Sequence, residues 1–185
     1  MLGGAVPFSR MSLPNWITVG RILLIPVFMV VLLGRLPGGD YLAAAVFAVA
    51  AVTDTVDGYL ARSRDARTTL GVFLDPIADK LLVAAALISL VELGRVAAWV
   101  AMVIIAREFL VSGLRMVAAT QDTVIAASVW GKLKTLVQVV AIAALILDDP
   151  PHTATNVLVA CAVAITIWSG IDYFIDARDL LRAPA

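Results

Sequence analysis

The chain has 185 residues, of which 62% are hydrophobic and 15% are charged. A soluble domain is ordinarily about half apolar, so this composition excludes an ordinary water-soluble enzyme and indicates a protein that lies in a membrane. The 14 basic and 14 acidic residues balance to a net charge of zero. With 185 residues, the chain has room for one membrane-embedded domain over residues 1–185 and for no separate soluble domain.

Six long apolar runs divide the chain, and we expect each of them to form a transmembrane helix. Several runs are shorter than the roughly 20 residues that a bilayer requires. Polar residues at their ends extend them, the second run to about residue 60, the third from about residue 75 and the fourth to about residue 117. The predicted fold class is therefore all-α, an integral membrane protein with six transmembrane helices. The runs cover residues 22–34, 41–53, 81–91, 96–106, 133–147 and 154–171.

Residues 12–18, which precede the first run, predict a short juxtamembrane amphipathic segment at the membrane surface. Pro14 is suited to the start of a helix and Trp16 to the depth of the lipid headgroups. We therefore divide the single domain into an interfacial segment at about residues 1–20, a six-helix core at 21–175 and a cytoplasmic tail at 176–185.

The basic residues are segregated to one side once the loops are assigned alternately to the two faces of the membrane. Twelve of the 14 Lys and Arg residues lie on the side of the amino terminus, and only Arg35 and Arg95 lie in the outer loops. The positive-inside rule places the basic side in the cytoplasm. We therefore predict a multi-pass protein of the inner (plasma) membrane with both termini in the cytoplasm.

Four of the five aspartates within residues 54–79 stand at helical spacings next to apolar runs, namely Asp54, Asp57, Asp75 and Asp79. On helices, the first two share one face at i and i+3, and the last two share another at i and i+4. Carboxylates gathered in apolar surroundings either take up protons or are neutralised by cations. An all-oxygen set suits Mg²⁺ or Mn²⁺ better than zinc, and four carboxylates balance about two divalent ions.

The order of residues around these aspartates is Asp54-x-x-Asp57-Gly58-x-x-Ala61-Arg62, followed by Gly71-x-x-x-Asp75-x-x-x-Asp79. It resembles the signature of the CDP-alcohol phosphotransferase family of membrane enzymes. The resemblance implies transfer of a phosphatidyl group from CDP-diacylglycerol to an alcohol, with CMP leaving. It also implies a homodimer. The predicted topology places the aspartates at the cytoplasmic ends of the second and third helices, so we expect the site to face the cytoplasm.

The same resemblance implies the roles of individual residues. The four aspartates would hold two Mg²⁺ or Mn²⁺ ions, and Asp79 would also be the general base that takes the proton of the attacking hydroxyl. The residues implied to bind the cytidine diphosphate group are Asp54, Asp57, Gly58, Ala61, Arg62 and Gly71.

Cations within the later apolar runs bear on the identity of the acceptor alcohol. Arg107 and Arg115 lie in the extended fourth run, and Lys132 and Lys134 lie where the fifth begins. In one interpretation these side chains reach towards the interface, or Arg107 pairs with Glu108. In the other they form a pocket for a phosphate on the acceptor, with Arg107 and Lys132 as first candidates and Arg115 and Lys134 as second.

Residues 14–21, 75–80, 107–108 and 131–135 resemble bacterial members of the family that use glycerol 3-phosphate. Members that form phosphatidylinositol phosphate or cardiolipin are the alternatives within the family. A divalent-cation transporter is an alternative of another class, but the aspartates lie at one membrane edge rather than at the midplane. A non-catalytic lipid-binding protein would not need the complete aspartate set. The predicted partners are CDP-diacylglycerol, glycerol 3-phosphate, CMP, membrane lipids and a second copy of the chain, without nucleic acid.

Overall fold

The computed structural model describes residues 13–63, 69–120 and 129–178, with side chains for 18–53, 77–119 and 129–178. These residues form six α-helices and no strands. The helices are α1 (Leu13–Leu33), α2 (Gly39–Ser63), α3 (Thr69–Glu92), α4 (Ala98–Thr120), α5 (Val129–Leu147) and α6 (Thr153–Asp176). The all-α prediction is confirmed, and each predicted apolar run overlaps one helix in the same order along the chain.

The polar ends of the runs continue the helices as expected. Helix α2 extends beyond Asp57, α3 begins before Asp75, and α4 extends beyond Arg115. Residues 13–20, which include most of the predicted amphipathic segment, form the first turns of α1. Pro14 lies in the first turn, where the N–H that proline lacks would have no partner within the helix. Residues 1–12 lie outside the described part of the chain.

The chain divides after Leu82 into two compact units. In the first unit α1 packs against α2, and the rings of Phe28 and Phe47 meet there with their centroids 6.0 Å apart. In the second unit α6 packs against both α4 and α5. The buried face of α6 is formed by Thr155, Ala162, Val163, Thr166, Ser169 and Tyr173.

Among the described helices, α5 and α6 are long and apolar enough to cross a membrane. Helices α1 and α2 contain shorter apolar stretches, Thr18–Leu33 and Gly39–Thr53. These lengths and compositions indicate that the protein is associated with a membrane.

Arg95 lies in the connection that follows α3 and binds the end of α5. Gly94 adopts φ = 72°, a conformation that glycine takes without strain, and the Arg95 N–H donates to the Leu90 carbonyl over 2.9 Å. The Arg95 side chain is only 4% exposed. Its Nη1 donates to the Ile146 carbonyl over 2.6 Å, and its Nη2 donates to Asp149 Oδ2 over 2.8 Å. Arg95 therefore satisfies a carbonyl at the negative end of α5.

Asp148 lies in the short connection between α5 and α6 and binds residues that follow it in the chain. Its carboxylate accepts hydrogen bonds from the Thr155 hydroxyl and from the His152 backbone N–H, and it pairs with the His152 ring. These bonds, that of Thr155 first, lower the pKa of Asp148 from 3.8 to about 2. Because the folded-state pKa is the lower one, Asp148 stabilises the fold above pH 3.8, and this contribution disappears as the pH falls towards 2.

We predict that Arg95→Gln lowers the free energy of unfolding by about 1.5–3 kcal/mol, because hydrogen bonds made by a charged group are lost from a buried position. Asp149→Asn should cost about 1 kcal/mol or less, since half of that carboxylate is in contact with solvent. Thermal unfolding in detergent measures both changes, with Arg35→Gln as a control at an exposed arginine. If the Arg95→Gln protein has the same melting temperature as the Arg35→Gln control, the contact at the end of α5 is not stabilising.

Candidate active site

The four aspartates of the signature all lie on helices of the first unit. Asp54 and Asp57 belong to α2, and Asp75 and Asp79 belong to α3. Asp57 lies six residues before the end of α2, and Asp75 lies six residues after the start of α3. The backbone thus gives the i, i+3 and i, i+4 spacings that place each pair on one helix face.

The side chains of most of the predicted metal-binding and CDP-binding residues lie outside the described part of the structure. Asp79 is the exception, and it is partly exposed and makes polar interactions. Four carboxylates at helical spacing are donors of the chemical type that Mg²⁺ and Mn²⁺ prefer, so the residues present suit such ions. The positions without described side chains are Asp54, Asp57, Gly58, Ala61, Arg62, Gly71 and Asp75.

A cavity of about 280 Å³ lies between α1 and α2 and contains Arg21, which is buried. On α2 the cavity is lined by Val49, Ala50 and Thr53. Positions 54 and 57 follow Ala50 and Thr53 by four residues and continue the same face of the helix. A buried cation therefore adjoins the face of α2 on which the first aspartate pair lies.

In the second unit, Arg107 and Arg115 both contact the ring of Tyr173. Their guanidinium carbons lie 5.4 Å and 4.9 Å from the ring centroid, within the range of cation–π attraction. Nη2 of Arg115 also donates a hydrogen bond to the Tyr173 hydroxyl. Nε and Nη2 of Arg107 are buried and have no hydrogen-bond partner among the described residues. Two of the four predicted phosphate ligands are thus brought together by a residue that the sequence analysis did not identify.

The two lysines predicted for the same pocket lie in different environments. Lys134 is 2% exposed and forms an ion pair with Glu108, which joins α5 to α4. Lys132 is exposed on α5. The alternative interpretation had paired Glu108 with Arg107, whereas its partner in the structure is Lys134. The charge of Lys134 is balanced within the protein, and that of Lys132 is accessible.

Two glycines leave room for this cluster of side chains. A Cβ on Gly131 would lie 3.2 Å from the Tyr173 hydroxyl, and a Cβ on Gly170 would lie 3.3 Å from Cγ of Arg107. Glycine inside a helix costs about 1 kcal/mol relative to alanine. Its presence at position 170, in the interior of α6, is explained by the close passage of the arginine side chain.

A groove of about 750 Å³ runs between α4 and α6 beside Arg107. Its lining is apolar apart from Thr166, Arg107 and Arg178, and Phe174 and Ile175 belong to it. A surface of this kind suits a hydrocarbon chain along its length and an anion at its charged residues.

Tyr173 could have been recognised from the sequence by a polar stripe on an apolar helix. Thr166, Ser169 and Tyr173 recur at intervals of three and four residues in α6 and so share one face. All three are buried. Because buried polar groups require partners, this stripe indicates a polar contact surface within the helix bundle.

Comparison with known proteins agrees with the aspartate signature. The profile of the family described as CDP-alcohol phosphatidyltransferase matches residues 11–168. The chain is 47% identical to the Bacillus subtilis CDP-diacylglycerol–glycerol-3-phosphate 3-phosphatidyltransferase, over 92% of this chain and 97% of that protein. Proteins of the same name from Escherichia coli and Haemophilus influenzae are 39% and 36% identical, each over 93% of this chain and at least 96% of the relative.

We predict that Lys134→Met and Glu108→Gln each destabilise the fold by about 3–5 kcal/mol, because each leaves half of a buried ion pair without compensation. The double variant should lose much less than the sum of the two single losses, since no isolated charge remains. Thermal unfolding in detergent of the four proteins in this cycle is the measurement. Strictly additive losses would show that the two side chains are not coupled.

Proposed function

We propose that this chain, which belongs to the CDP-alcohol phosphatidyltransferase family, is a phosphatidylglycerophosphate synthase. It transfers the phosphatidyl group of CDP-diacylglycerol to glycerol 3-phosphate and releases CMP. The names of the relatives support this acceptor. The structural observation that carries the proposal is the convergence of Arg107 and Arg115 on Tyr173. An acceptor without a phosphate would not require such a pair of cations.

The metal site of this proposal consists of Asp54, Asp57, Asp75 and Asp79, which would hold two Mg²⁺ or Mn²⁺ ions. Their positions support this assignment, because the connection between α2 and α3 covers only residues 64–68 and each pair begins six residues from it. Both aspartate pairs therefore lie at the same number of residues from the connection that joins the two helices. When bound, such ions neutralise charge on the diphosphate and on the leaving CMP.

The side chains of the protein supply the remaining chemistry. Asp79 accepts the proton of the acceptor hydroxyl, and nearby carboxylates raise the basicity that this role needs. Arg62 compensates the negative charge of the cytidine diphosphate group. Gly58, Ala61 and Gly71 allow the nucleotide to approach the helix backbone closely.

The phosphate of the acceptor binds to the cations of the second unit. Two nitrogens of Arg107, Nε and Nη2, have no hydrogen-bond partner among the described residues, so an anion there would satisfy buried donors. Lys132 is exposed and can add a further positive charge. Arg115, which lies 4.9 Å from the centroid of the Tyr173 ring, also contributes. Lys134 contributes least, because Glu108 already balances its charge.

We also propose that all six helices cross the membrane as one domain of the inner (plasma) membrane. The helices have 19–25 residues, and at about 1.5 Å per residue they match a hydrocarbon core of about 30 Å. Large apolar side chains are exposed on every helix, as expected for surfaces in contact with lipid. Examples are Val30, Val49, Ile88, Met102, Leu136 and Val157.

The orientation follows from charge. Arg115, Lys132 and Arg178 lie where α4 ends, α5 begins and α6 ends, and the positive-inside rule assigns these ends to the cytoplasm. Both termini and the active site then face the cytoplasm, where glycerol 3-phosphate is dissolved. The groove beside Arg107 suits a chain of a membrane lipid, and a second copy of the protein completes a homodimer.

We predict that Asp54→Asn, Asp57→Asn, Asp75→Asn and Asp79→Asn each abolish release of CMP, because each removes one charge from a site whose metals require all four.

Asp79→Asn should lose about 10²–10⁴ in rate as a general base, while retaining affinity for CDP-diacylglycerol. The assay follows CMP with and without glycerol 3-phosphate in detergent–lipid micelles. Asp176→Asn, the same change at an exposed carboxylate, is the control. Substantial activity in any two of the four variants would contradict the two-metal site.

We predict that Arg107→Gln and Lys132→Gln raise the KM for glycerol 3-phosphate by about one to two decades, the effect of losing a charge-assisted contact with phosphate. The KM for CDP-diacylglycerol should remain nearly unchanged, and Arg35→Gln serves as the control. A rise in the lipid KM alone would place these residues at the donor instead. A panel of inositol phosphate, phosphatidylglycerol and free glycerol distinguishes the family alternatives, and equal activity with free glycerol would exclude a phosphate pocket.

A further inference from the structure

We propose that Tyr173 is a positioning residue for the acceptor phosphate. Its ring holds the guanidinium groups of Arg107 and Arg115 close to its centroid, and its hydroxyl fixes the orientation of Arg115. This inference rests on the proposed function. It extends that function to a residue outside the aspartate signature and outside the cations chosen from the sequence.

The arrangement of two arginines around one ring needs a physical cause. Arg107 and Arg115 carry like charges, which repel each other and would separate the two side chains if nothing held them. The face of an aromatic ring carries a negative potential, and both guanidinium carbons lie within 5.4 Å of the Tyr173 centroid. The ring therefore opposes the repulsion between the two arginines and keeps them together.

The hydroxyl group adds direction to this attraction. Arg115 is exposed, so its long side chain would otherwise sample many rotamers. Its Nη2 donates to the Tyr173 hydroxyl, which selects one of them. Tyr173 itself is 2% exposed and packs with Val111, Leu114 and Ala177. The ring is therefore a fixed support for the two arginines.

This geometry leaves Arg107 prepared for a ligand. Its Nε and Nη2 are buried without hydrogen-bond partners among the described residues, whereas the ring occupies its face. Charge-assisted hydrogen bonds from guanidinium groups are well matched to phosphate oxygens. An anion of the phosphomonoester class would satisfy these donors and remove the repulsion between the arginines at the same time.

The consequence for kinetics is specific. Tyr173 acts on the acceptor phosphate through the arginines and does not touch the reacting atoms, so its loss should weaken acceptor binding equally in the ground state and in the transition state. Such a loss raises KM and leaves kcat unchanged. A role in folding alone would instead reduce the amount of active enzyme and would alter neither KM.

The experiment measures CMP release by the full-length enzyme in detergent–lipid micelles while each substrate is varied in turn. Tyr173→Phe keeps the ring and removes the hydroxyl, and it should raise the KM for glycerol 3-phosphate about 10-fold, the effect of one hydrogen bond to a charged group. Tyr173→Leu removes the ring as well and should raise it by about a further 3- to 10-fold. The KM for CDP-diacylglycerol and kcat should stay within about twofold of the unmodified enzyme in both variants.

A mutant cycle tests whether Tyr173 acts through Arg115. In an Arg115→Gln background, Tyr173→Phe should produce no additional rise in the KM for glycerol 3-phosphate, because the donor that the hydroxyl orients is already absent. Tyr41→Phe makes the same change at an exposed tyrosine and should have no effect. If Tyr173→Leu does not fold, Tyr173→Phe and the cycle decide the question without it.

Three results would overturn the inference. These are an unchanged KM for glycerol 3-phosphate in Tyr173→Phe, a fall in kcat with both KM values constant, and effects of Tyr173→Phe and Arg115→Gln that simply add. In each case the proposed function would still be supported if the unmodified enzyme releases CMP only when glycerol 3-phosphate is present. Absence of that activity in the unmodified enzyme would refute the proposed function, and the inference with it.

Discussion

Buried charge in apolar surroundings has to be compensated where it lies, and the organisation of this protein depends on that constraint. Each buried or half-buried cation that the structure describes in the second unit has a recognisable form of compensation. Lys134 pairs with Glu108, and Arg95 binds Asp149 together with a carbonyl at the end of α5. Arg107 rests on the ring of Tyr173, which supplies an attractive potential but no negative charge. Compensation is therefore weakest at Arg107.

The two ends of the second unit differ in how completely their buried charges are compensated. At one end Arg95 donates hydrogen bonds to the Ile146 carbonyl and to Asp149, and the Asp148 carboxylate accepts hydrogen bonds from His152 and Thr155. These bonds make the connection between the helices rigid. At the other end Arg107 retains buried donors without partners among the described residues. Saturated polar groups stabilise a fold, whereas an incompletely compensated cation in a concave, partly apolar site provides affinity for an anion.

Close approach of helices makes the second arrangement possible. Arg107 passes over α6 at Gly170, and the Tyr173 hydroxyl lies near α5 at Gly131, so a methyl group at either position would crowd the side chain beside it. Three helices thus meet around one tyrosine. The acceptor site that we propose is a property of their packing, since no single helix contains the whole set of residues.

The sequence by itself determined the number and order of the helices, the helical spacing of the four aspartates and the membership of the family. These features are local, because the length of an apolar run, its polar extensions and the distance between two residues on a helix can be read without knowing any tertiary contact. The start of α1 within the predicted amphipathic segment is local too, since Pro14 permits a helix to begin there.

Only the tertiary structure decided which charges meet. From the sequence, Glu108 could pair with Arg107 or with another neighbour, and Arg95 was simply a residue of an outer loop. In the structure Glu108 forms an ion pair with Lys134, and Arg95 is buried against the end of α5. Arg107 and Arg115 both contact the ring of Tyr173. Such partnerships depend on how each helix is rotated about its axis and how closely its neighbours approach. Many rotations satisfy the same apolar pattern, so side-chain packing selects among them.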